Sequence, residues 1–249
     1  MSDMALEVDG LTVDFSGFKA VDSVSVAVKK GELRVLLGAN GAGKTTLMDL
    51  ISGKTRSTKG RVRVNGRDVT NWREHRIARA GIGRKFQIPS IFSGLTVRQN
   101  LEVARSGKPG VLSNLNFGGK GAEKNQVDEI LAQIGLEEDA GREADFLSHG
   151  QTQWLELGML IIQNASVILL DEPTAGMTQA ETAKTAQIIN DMKGRHTLLV
   201  VEHDMAFVRD IAERITVLHL GKVLAEGNVA FIENHPEVKA AYLGAQGIQ

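Results

Sequence analysis

The stretch Gly38-Ala39-Asn40-Gly41-Ala42-Gly43-Lys44-Thr45 decides the fold, because it fits the phosphate-loop pattern G-x-x-x-x-G-K-[ST]. The apolar run Leu33–Leu37 directly before it predicts a buried strand, and a helical pattern follows. Glycines let the backbone curl so that successive N–H groups point at phosphate oxygens, and the start of the helix adds partial positive charge. We therefore expect main-chain amides over residues 38–46, Thr46 included, to hold a triphosphate.

Two side chains of this loop and two acids from later in the chain supply the chemistry of phosphoryl transfer. Lys44 is expected to contact the β- and γ-phosphates, and the Thr45 hydroxyl to ligate Mg²⁺. A second apolar run, Val167-Ile168-Leu169-Leu170, ends in Asp171 and Glu172. Asp171 is the natural second ligand of that Mg²⁺, and Glu172 can face an attacking water as general base. The alternative is a pair of solvated acids that cap the next helix.

Composition excludes several classes of protein. The 249 residues include 29 Lys and Arg against 30 Asp and Glu, 42% hydrophobic residues and no Cys. A thiol nucleophile, a disulfide framework and a cysteine zinc site are therefore excluded. The net charge of -1 provides no global basic field for nucleic acid, although a local basic patch remains open. The longest apolar runs are far shorter than the roughly 20 residues that span a bilayer.

The first third of the chain predicts strands. Val24, Val26 and Val28 alternate with small residues, and Val62 and Val64 alternate again before Asn65-Gly66, a strong hairpin signal. These patterns predict an antiparallel β layer beside the buried strand that precedes the phosphate loop.

The middle of the chain predicts a helical lobe. Thr96 and Gln99 have capping-box spacing, and four apolar residues follow helical periodicity, namely Val127, Ile130, Leu131 and Ile134. Residues 106–121 are rich in Gly and Asn and predict a long loop.

The last third predicts repeated βα units. Helices are expected near 150–164, 179–193 and 205–213, with strands at Val167–Leu170, Thr197–Val201 and Ile215–His219. Such units favour a parallel sheet covered by helices. The fold class is therefore α/β, with a mostly parallel P-loop core, an antiparallel β layer and an inserted helical lobe.

Two further motifs leave alternatives open. His203 follows the run Thr197–Val201, at the sheet edge where a γ-phosphate would lie, and the alternative is an incidental surface or helix-capping histidine. Ser148 and Gln151 have the S-x-x-Q spacing of a capping box for the following helix. The start of that helix, with a hydroxyl and Gly150, is also suited to bind an anion, and spacing does not choose between capping and nucleotide binding.

Five motifs in order, namely the phosphate loop, Gln87, LSHGQ, LLDEP and the run around His203, resemble an ABC-type ATPase over essentially the whole chain. The resemblance implies ATP and Mg²⁺ as ligands. It implies that Phe15 stacks on adenine, that Gln87 contacts Mg²⁺ and the attacking water, that Asp171 binds the metal, that Glu172 is the catalytic base and that His203 is the switch histidine. Ser148, Gly150 and Gln151 resemble the signature that closes on ATP bound to a second cassette subunit, of the same or a different chain. The implied domain is a single one, with a RecA-like core at 1–86 and 166–249 and a helical lobe at 87–165 that carries the signature.

Two residues depart from the family pattern. His149 replaces the second signature glycine, and Thr178 stands where the family has an acid after the Pro-Thr pair. Neither touches the predicted catalytic acids, so we expect ATP hydrolysis to be retained. Thr178 lacks the acidic charge of the family pattern, and we expect this difference to affect communication between the two ATP sites rather than hydrolysis itself.

The resemblance extends to one group of importers. LSHGQTQWLELGMLI, DEPTAGMT and VVEHDM are similar to ATP-binding subunits of branched-chain amino acid and urea importers, and most similar to the urea type. We therefore expect an importer ATPase for urea or short amides, with a branched-chain amino acid importer as the alternative. A soluble ABC ATPase acting on nucleic acid or ribosomes is a second alternative, and a P-loop kinase for a small molecule is a third.

The same resemblance implies partners and a location. Permease subunits, a second cassette and, indirectly, a solute-binding protein are expected, without nucleic acid, at the cytoplasmic face of the membrane. From the short tail after the last sheet unit we expect no appended regulatory domain. The permease is expected to dock on a groove near Gln87 to Leu95, where the apolar residues are Ile88, Pro89, Ile91, Phe92 and Leu95. These residues could equally pack inside the lobe.

Overall fold

The computed structural model describes residues 3–85, 91–106 and 121–246, which packing divides into two units. The first unit comprises the described residues up to Arg84, Ser166–Pro173, and those from Lys193 onward. The second unit comprises Lys85–Ala165 and Thr174–Met192. This division groups 174–192 with the helical lobe, whereas the sequence analysis placed all of 166–249 with the core.

The strands all belong to the first unit. In chain order they are β1 (Met4–Phe15), β2 (Phe18–Lys29), β3 (Leu33–Leu37), β4 (Lys59–Val64), β5 (Arg67–Asp68), β6 (Ile82–Arg84), β7 (Val167–Asp171), β8 (Thr197–Val201), β9 (Arg214–His219) and β10 (Lys222–Gly227).

The helices are shared between the units. They are α1 (Lys44–Ser52), α2 (Glu74–Arg79), α3 (Val97–Ser106), α4 (Gly121–Ile134), α5 (His149–Ile162), α6 (Gln179–Met192), α7 (Met205–Ile211), α8 (Val229–Asn234) and α9 (Pro236–Gln246), with a short 3₁₀ helix at Ala144–Phe146. None of the helices in the described ranges is both long and apolar enough to cross a membrane.

The main sheet has six strands in the order β10-β9-β3-β8-β7-β6. All pairs are parallel except β9 with β10. Every residue of β3, β7 and β8 is buried, as expected for central parallel strands covered on both faces. The predicted parallel sheet is confirmed, and its carboxyl edge carries the ends of β3, β7 and β8.

The second sheet is antiparallel, in the order β2-β1-β4-β5, and confirms the predicted β layer. Asn65 and Gly66 form the predicted hairpin turn, with φ of 49° and 79°. Valines of this sheet pack in the core of the first unit with side chains of α1 and of the main sheet. The members of this core include Val8, Val26, Val62, Leu36, Leu47, Ile51, Leu169 and Leu199.

Two edge strands were not predicted. β6 has three residues and contains Gly83 and Arg84, so it carries no apolar run. It pairs in parallel with β7 at one edge of the main sheet. β10 folds back on β9 at the other edge, through a turn at Leu220 and Gly221.

The second unit consists of the helices α3, α4, α5 and α6. α5 packs against α3, α4 and α6. The predicted capping box at the start of α3 is present, since Gln99 N donates to Thr96 Oγ1 and Thr96 N donates to Gln99 Oε1. Trp154 on α5 donates to Thr185 Oγ1 on α6 at 3.0 Å. The predicted loop at 106–121 falls, over residues 107–120, outside the described ranges.

Candidate functional site

The phosphate loop lies where the sequence predicts it, between the end of β3 and the start of α1. Gly43 is the N-cap residue of α1, with φ of 102°, and no side chain caps the helix. A Cβ atom at Gly43 would overlap the carbonyl oxygen of Ala20 on β2. The positive φ and this close approach of β2 both require glycine at this position. The first amides of α1 are thus left available to a ligand rather than to a capping side chain.

Lys44 lies folded over the same loop. Its side chain is buried, and Nζ donates to Gly38 O at 2.6 Å and to Ala39 O at 3.1 Å. Burial lowers the pKa of Lys44, and the carboxylates of Glu172 and Asp171 oppose that shift. The structure therefore brings the loop lysine and both predicted acids within electrostatic range of one another. Thr45 is exposed at the second position of α1, and Thr46 is half-buried.

Asp171 ends β7 as a buried carboxylate, with its side chain 3% exposed. Arg84 of β6 places Nη2 3.9 Å from Asp171 Oδ2 and Nη1 2.6 Å from Asp49 Oδ1 on α1. Burial raises the pKa of Asp171, the Arg84 guanidinium opposes this, and the carboxylates of Glu172 and Asp49 raise it further. Sequence reasoning missed Arg84 and Asp49, because their meeting with Asp171 depends on the unpredicted strand β6.

The carboxylate of Asp171 is suited to bind a magnesium ion. Its Oδ2 atom is buried and has no hydrogen-bond partner. Mg²⁺ is commonly held by one or two protein oxygens together with substrate phosphates and water. The described part of the chain contains no group of three or more His, Asp or Glu residues able to hold a metal. That Asp171 and the Thr45 hydroxyl of α1 together hold the ion stays a prediction.

Replacing Asp171 by Asn is expected to stabilise the nucleotide-free protein. An acid whose pKa is raised by folding costs stability when ionised, and the cost appears as the pH rises through the folded-state pKa. At pH 8 the variant should therefore melt about 2–4 °C higher, the scale of about 1 kcal/mol in a protein of this size. The gain should shrink as the pH falls. A calorimetric melting temperature at or below that of the wild type would show that attraction to Arg84 outweighs burial.

Glu172 and His203 follow β7 and β8 and face each other. Glu172 has φ of 46°, and its amide donates to Val201 O at 3.0 Å. Its Oε1 lies 3.4 Å from His203 Nδ1, and both side chains are partly exposed. A positive φ is uncommon for a residue with a side chain and is typical of functional sites. The predicted base and the predicted switch histidine are thus adjacent at the edge of the main sheet.

Phe15 lies at the end of β1, half-exposed, and pairs across the hairpin with Phe18. Phe18 is more exposed than Phe15 and was not selected from the sequence. It lies two residues before Ala20, whose carbonyl contacts the phosphate loop. An exposed aromatic pair on the hairpin is suited to cover a planar ring, and this role for Phe15 stays a prediction.

The signature residues belong to the second unit. Ser148 is the N-cap of α5 and forms a full capping box with Gln151. Gln151 Nε2 also donates to Asp139 Oδ2 at 2.7 Å. The capping interpretation is therefore confirmed, and binding of a nucleotide by Ser148, Gly150 and Gln151 stays a prediction. Gln87, the second of the five motifs, lies outside the described residues.

The two departures from the family pattern take part in one local network. With its proton on Nε2, the His149 ring donates to Ala175 O at 3.0 Å. Thr178 is in a capping box with Glu181, whose Oε2 accepts from both Thr178 N and Thr178 Oγ1 at 2.9 Å. A Cβ atom at Gly150 would overlap Glu181 Oε1 and lie 2.7 Å from its Cδ. The starts of α5 and α6 are therefore held together by His149 and Glu181.

Replacing Gly150 by Ala is expected to destabilise the protein by about 1 kcal/mol, the scale of a lost capping interaction. The new methyl group would push the Glu181 carboxylate away from Thr178. In a Glu181→Ala background the same change should be neutral or stabilising, because the clash is gone and Ala favours helix. Urea denaturation of the four proteins measures the coupling. Additive costs would show that the two positions act independently.

Comparison with known proteins gives consistent matches. A family model described as ABC transporter matches residues 21–175, and one described as branched-chain amino acid ATP-binding cassette transporter matches residues 222–247. The high-affinity branched-chain amino acid transport ATP-binding protein LivG of Salmonella typhimurium is 36% identical over 253 residues, covering 98% of this chain and 99% of LivG. The corresponding protein BraF of Pseudomonas aeruginosa is 34% identical over 255 residues, with the same coverage.

Solved structures show the same fold. An ATP-binding cassette of an ABC transporter in its ADP conformation superposes with a TM-score of 0.83 at 29% identity, covering 98% of this chain and 100% of that one. A nucleotide-free cassette from an ABC transporter superposes with a TM-score of 0.81 at 28% identity, covering 96% and 98%.

Proposed function

Since the chain belongs to the ABC transporter family, we propose that it is the ATP-hydrolysing subunit that energises a membrane importer of the branched-chain amino acid type. The observation that carries the proposal is the edge of the main sheet, where Asp171, Glu172 and His203 follow adjacent strands. Buried Lys44 lies within electrostatic range of the two acids. In this proposal Lys44 would bind phosphate, Asp171 would bind the metal and Glu172 would act as the base.

The assignment of the transported solute rests on the names of the relatives rather than on the geometry of the site. LivG and BraF are named for branched-chain amino acids, and the second family model matches the C-terminal residues 222–247. The alternative of the sequence analysis therefore has better support than urea. The resemblance of the LSHGQ and AGMT motifs to urea importers is the remaining argument for that solute.

ATP binding follows from the phosphate loop. The amides at the start of α1 would bind the β- and γ-phosphates, and the Lys44 ammonium would exchange its bonds to Gly38 O and Ala39 O for bonds to phosphate oxygens. Thr45 and Asp171 would hold the metal. When bound, Mg²⁺ neutralises charge on the phosphates. Phe15, with Phe18 beside it, would cover the adenine.

Hydrolysis needs a base for the attacking water. Glu172 accepts the proton as the water oxygen forms its bond to the γ-phosphorus, while the bond from that phosphorus to the β-phosphate oxygen breaks. His203 lies 3.4 Å from Glu172 and can orient that carboxylate or contact the phosphate. The backbone bond from Glu172 to Val201 O ties the base to the neighbouring strand.

The proposed assembly contains two cassettes and permease subunits. Ser148, Gly150 and Gln151 would close on ATP held by the second cassette, so that each site is complete only in the dimer. The permease would dock near Gln87 to Leu95; of that segment the structure describes Ile91 to Leu95, where Phe92 is exposed. A solute-binding protein would deliver the solute to the permease from the other side of the membrane.

The test combines turnover with assembly. Purified protein should release inorganic phosphate from MgATP without an added acceptor, a result that a small-molecule kinase would not give. Affinity purification from membranes should recover permease subunits rather than RNA. In liposomes, the recovered complex with its binding protein should hydrolyse ATP faster with leucine than with urea. Stimulation by urea alone would overturn the solute assignment, and absence of permease would overturn the importer.

A further inference from the structure

A strongly basic segment has no role in the proposed chemistry. Residues 54–79 contain nine Lys and Arg residues against two acids, a net charge of +7, whereas the rest of the chain carries -8. Eight of the nine cations are exposed and the ninth, Arg63, is half-buried. The overall net charge of -1 therefore conceals a concentrated basic region in the first unit.

Part of this charge is neutralised within the antiparallel sheet. Arg61 and Arg63 on β4 lie opposite Asp9 and Glu7 on β1, and Arg63 Nη1 is 3.7 Å from Glu7 Oε2. Arg61 and Arg63 also lower the pKa of Asp68 on β5, although its hydrogen bonds to Thr70 dominate that shift. These two arginines therefore contribute little net charge to the surface.

The remaining arginines gather around Trp72. The loop after α1 is tied to the loop before α2, since Ser57 N donates to Asn71 Oδ1 at 2.7 Å and Asn71 Nδ2 donates to Ser57 O at 3.2 Å. This connection places Arg56 beside the segment that leads into α2. The basic surface so defined consists of Arg56, Arg67, Arg73, Arg76 and Arg79, with Trp72 among them.

Two of the five arginines of the basic surface stack on Trp72. The Arg67 and Arg76 guanidinium carbons lie 4.6 and 4.8 Å from the centroid of the Trp72 ring. Within the ranges that the structure describes, none of the five arginines forms an ion pair. Stacking on an aromatic ring orders a guanidinium while leaving its N–H groups free for an anion.

We propose that this basic surface binds the anionic phospholipid headgroups of the bilayer beside which the importer works. The proposal rests on the proposed function, which places the chain at a membrane. Charge complementarity carries it, because each Lys or Arg near an anionic leaflet strengthens binding by about fivefold. The segment also ends eight residues before Gln87, where the predicted permease-docking surface begins.

Nucleic acid fits this surface less well. Binding of single strands uses aromatic faces on which bases stack. Trp72 is the only Phe, Tyr or Trp in residues 54–79, and it packs against the core cluster of the first unit while Arg67 and Arg76 cover its ring. The surface thus offers ordered charges without a free stacking platform, which suits phosphate headgroups.

The test is sedimentation with vesicles. Wild-type protein should bind vesicles of phosphatidylcholine and phosphatidylglycerol at 3:1 in 0.1 M NaCl, should not bind phosphatidylcholine alone, and should be released at 0.5 M NaCl. Arg73→Gln/Arg79→Gln, which leaves both arginines on Trp72 in place, should weaken binding about 25-fold. A variant with Arg67→Gln and Arg76→Gln added should lose measurable binding.

The matched control is Lys29→Gln/Lys30→Gln, which removes the same charge from exposed residues outside the surface. It should bind anionic vesicles like the wild type. An equal loss in both double variants would mean that only total charge matters, and would overturn the proposal. So would absence of binding to anionic vesicles, or displacement of the protein from them by equimolar single-stranded RNA.

The outcome for lipid binding by the basic surface can be distinguished from the outcome for the proposed function. Phosphate release from MgATP in solution should be unchanged in Arg73→Gln/Arg79→Gln, because neither arginine contacts the phosphate loop. Vesicle binding without ATP hydrolysis would contradict the proposed function alone. Hydrolysis without vesicle binding would contradict the basic surface alone.

Discussion

Glu172→Gln is expected to lower ATP turnover by about 10² or more while MgATP binding stays within about twofold of wild type. The change removes the proton acceptor and keeps the shape of the side chain, and loss of a general base typically costs this factor. The backbone bond from residue 172 to Val201 O is unaffected. Phosphate release measures turnover, and titration with a fluorescent ATP analogue measures binding.

A second readout of the same variant tests the assembly. If each site is completed by a second cassette, blocked hydrolysis should trap an ATP-bound dimer, visible by light scattering with MgATP. Glu237→Gln, the same chemical change at an exposed residue of α9, should alter neither turnover nor mass. Near-normal turnover of Glu172→Gln would show that another group takes the proton.

Lys44→Ala is expected to weaken nucleotide binding by about 10- to 100-fold. A hydrogen bond to a charged group contributes about 1.5–3 kcal/mol, and Lys44 is the buried ammonium of the phosphate loop. The same fluorescence titration gives the dissociation constant. Because burial already lowers the pKa of Lys44, its removal should not destabilise the nucleotide-free protein strongly.

Lys30→Ala serves as the control, since Lys30 is exposed on the turn after β2. The melting temperature without nucleotide should be similar in the wild type and both variants. At one fixed concentration, added MgATP should raise it clearly in the wild type and in Lys30→Ala, and by less in Lys44→Ala. Equal stabilisation of Lys44→Ala by MgATP would contradict the role of this lysine in binding phosphate.

Other features of the site depended on distant parts of the chain. Arg84 meets Asp171 because β6 pairs with β7, although the two strands are separated by more than 80 residues. β6 has too few apolar residues to be recognised by periodicity. Glu181 lies against Gly150 because α6 packs on α5, and no local sequence pattern predicts that contact.

The amino-acid sequence by itself determined what depends on neighbouring residues: the phosphate loop between a strand and a helix, the Asn65–Gly66 hairpin, and the capping boxes at Thr96 and Ser148. Turn geometry, capping and periodicity are set within a few residues, so local patterns specify them. Only the tertiary structure decided the strand order, with β8 between β3 and β7, and the partners of Arg84, His149 and Glu181. Those contacts depend on which elements pack together in the folded chain; the buried charge of Arg84 in particular requires a partner that sequence spacing does not encode.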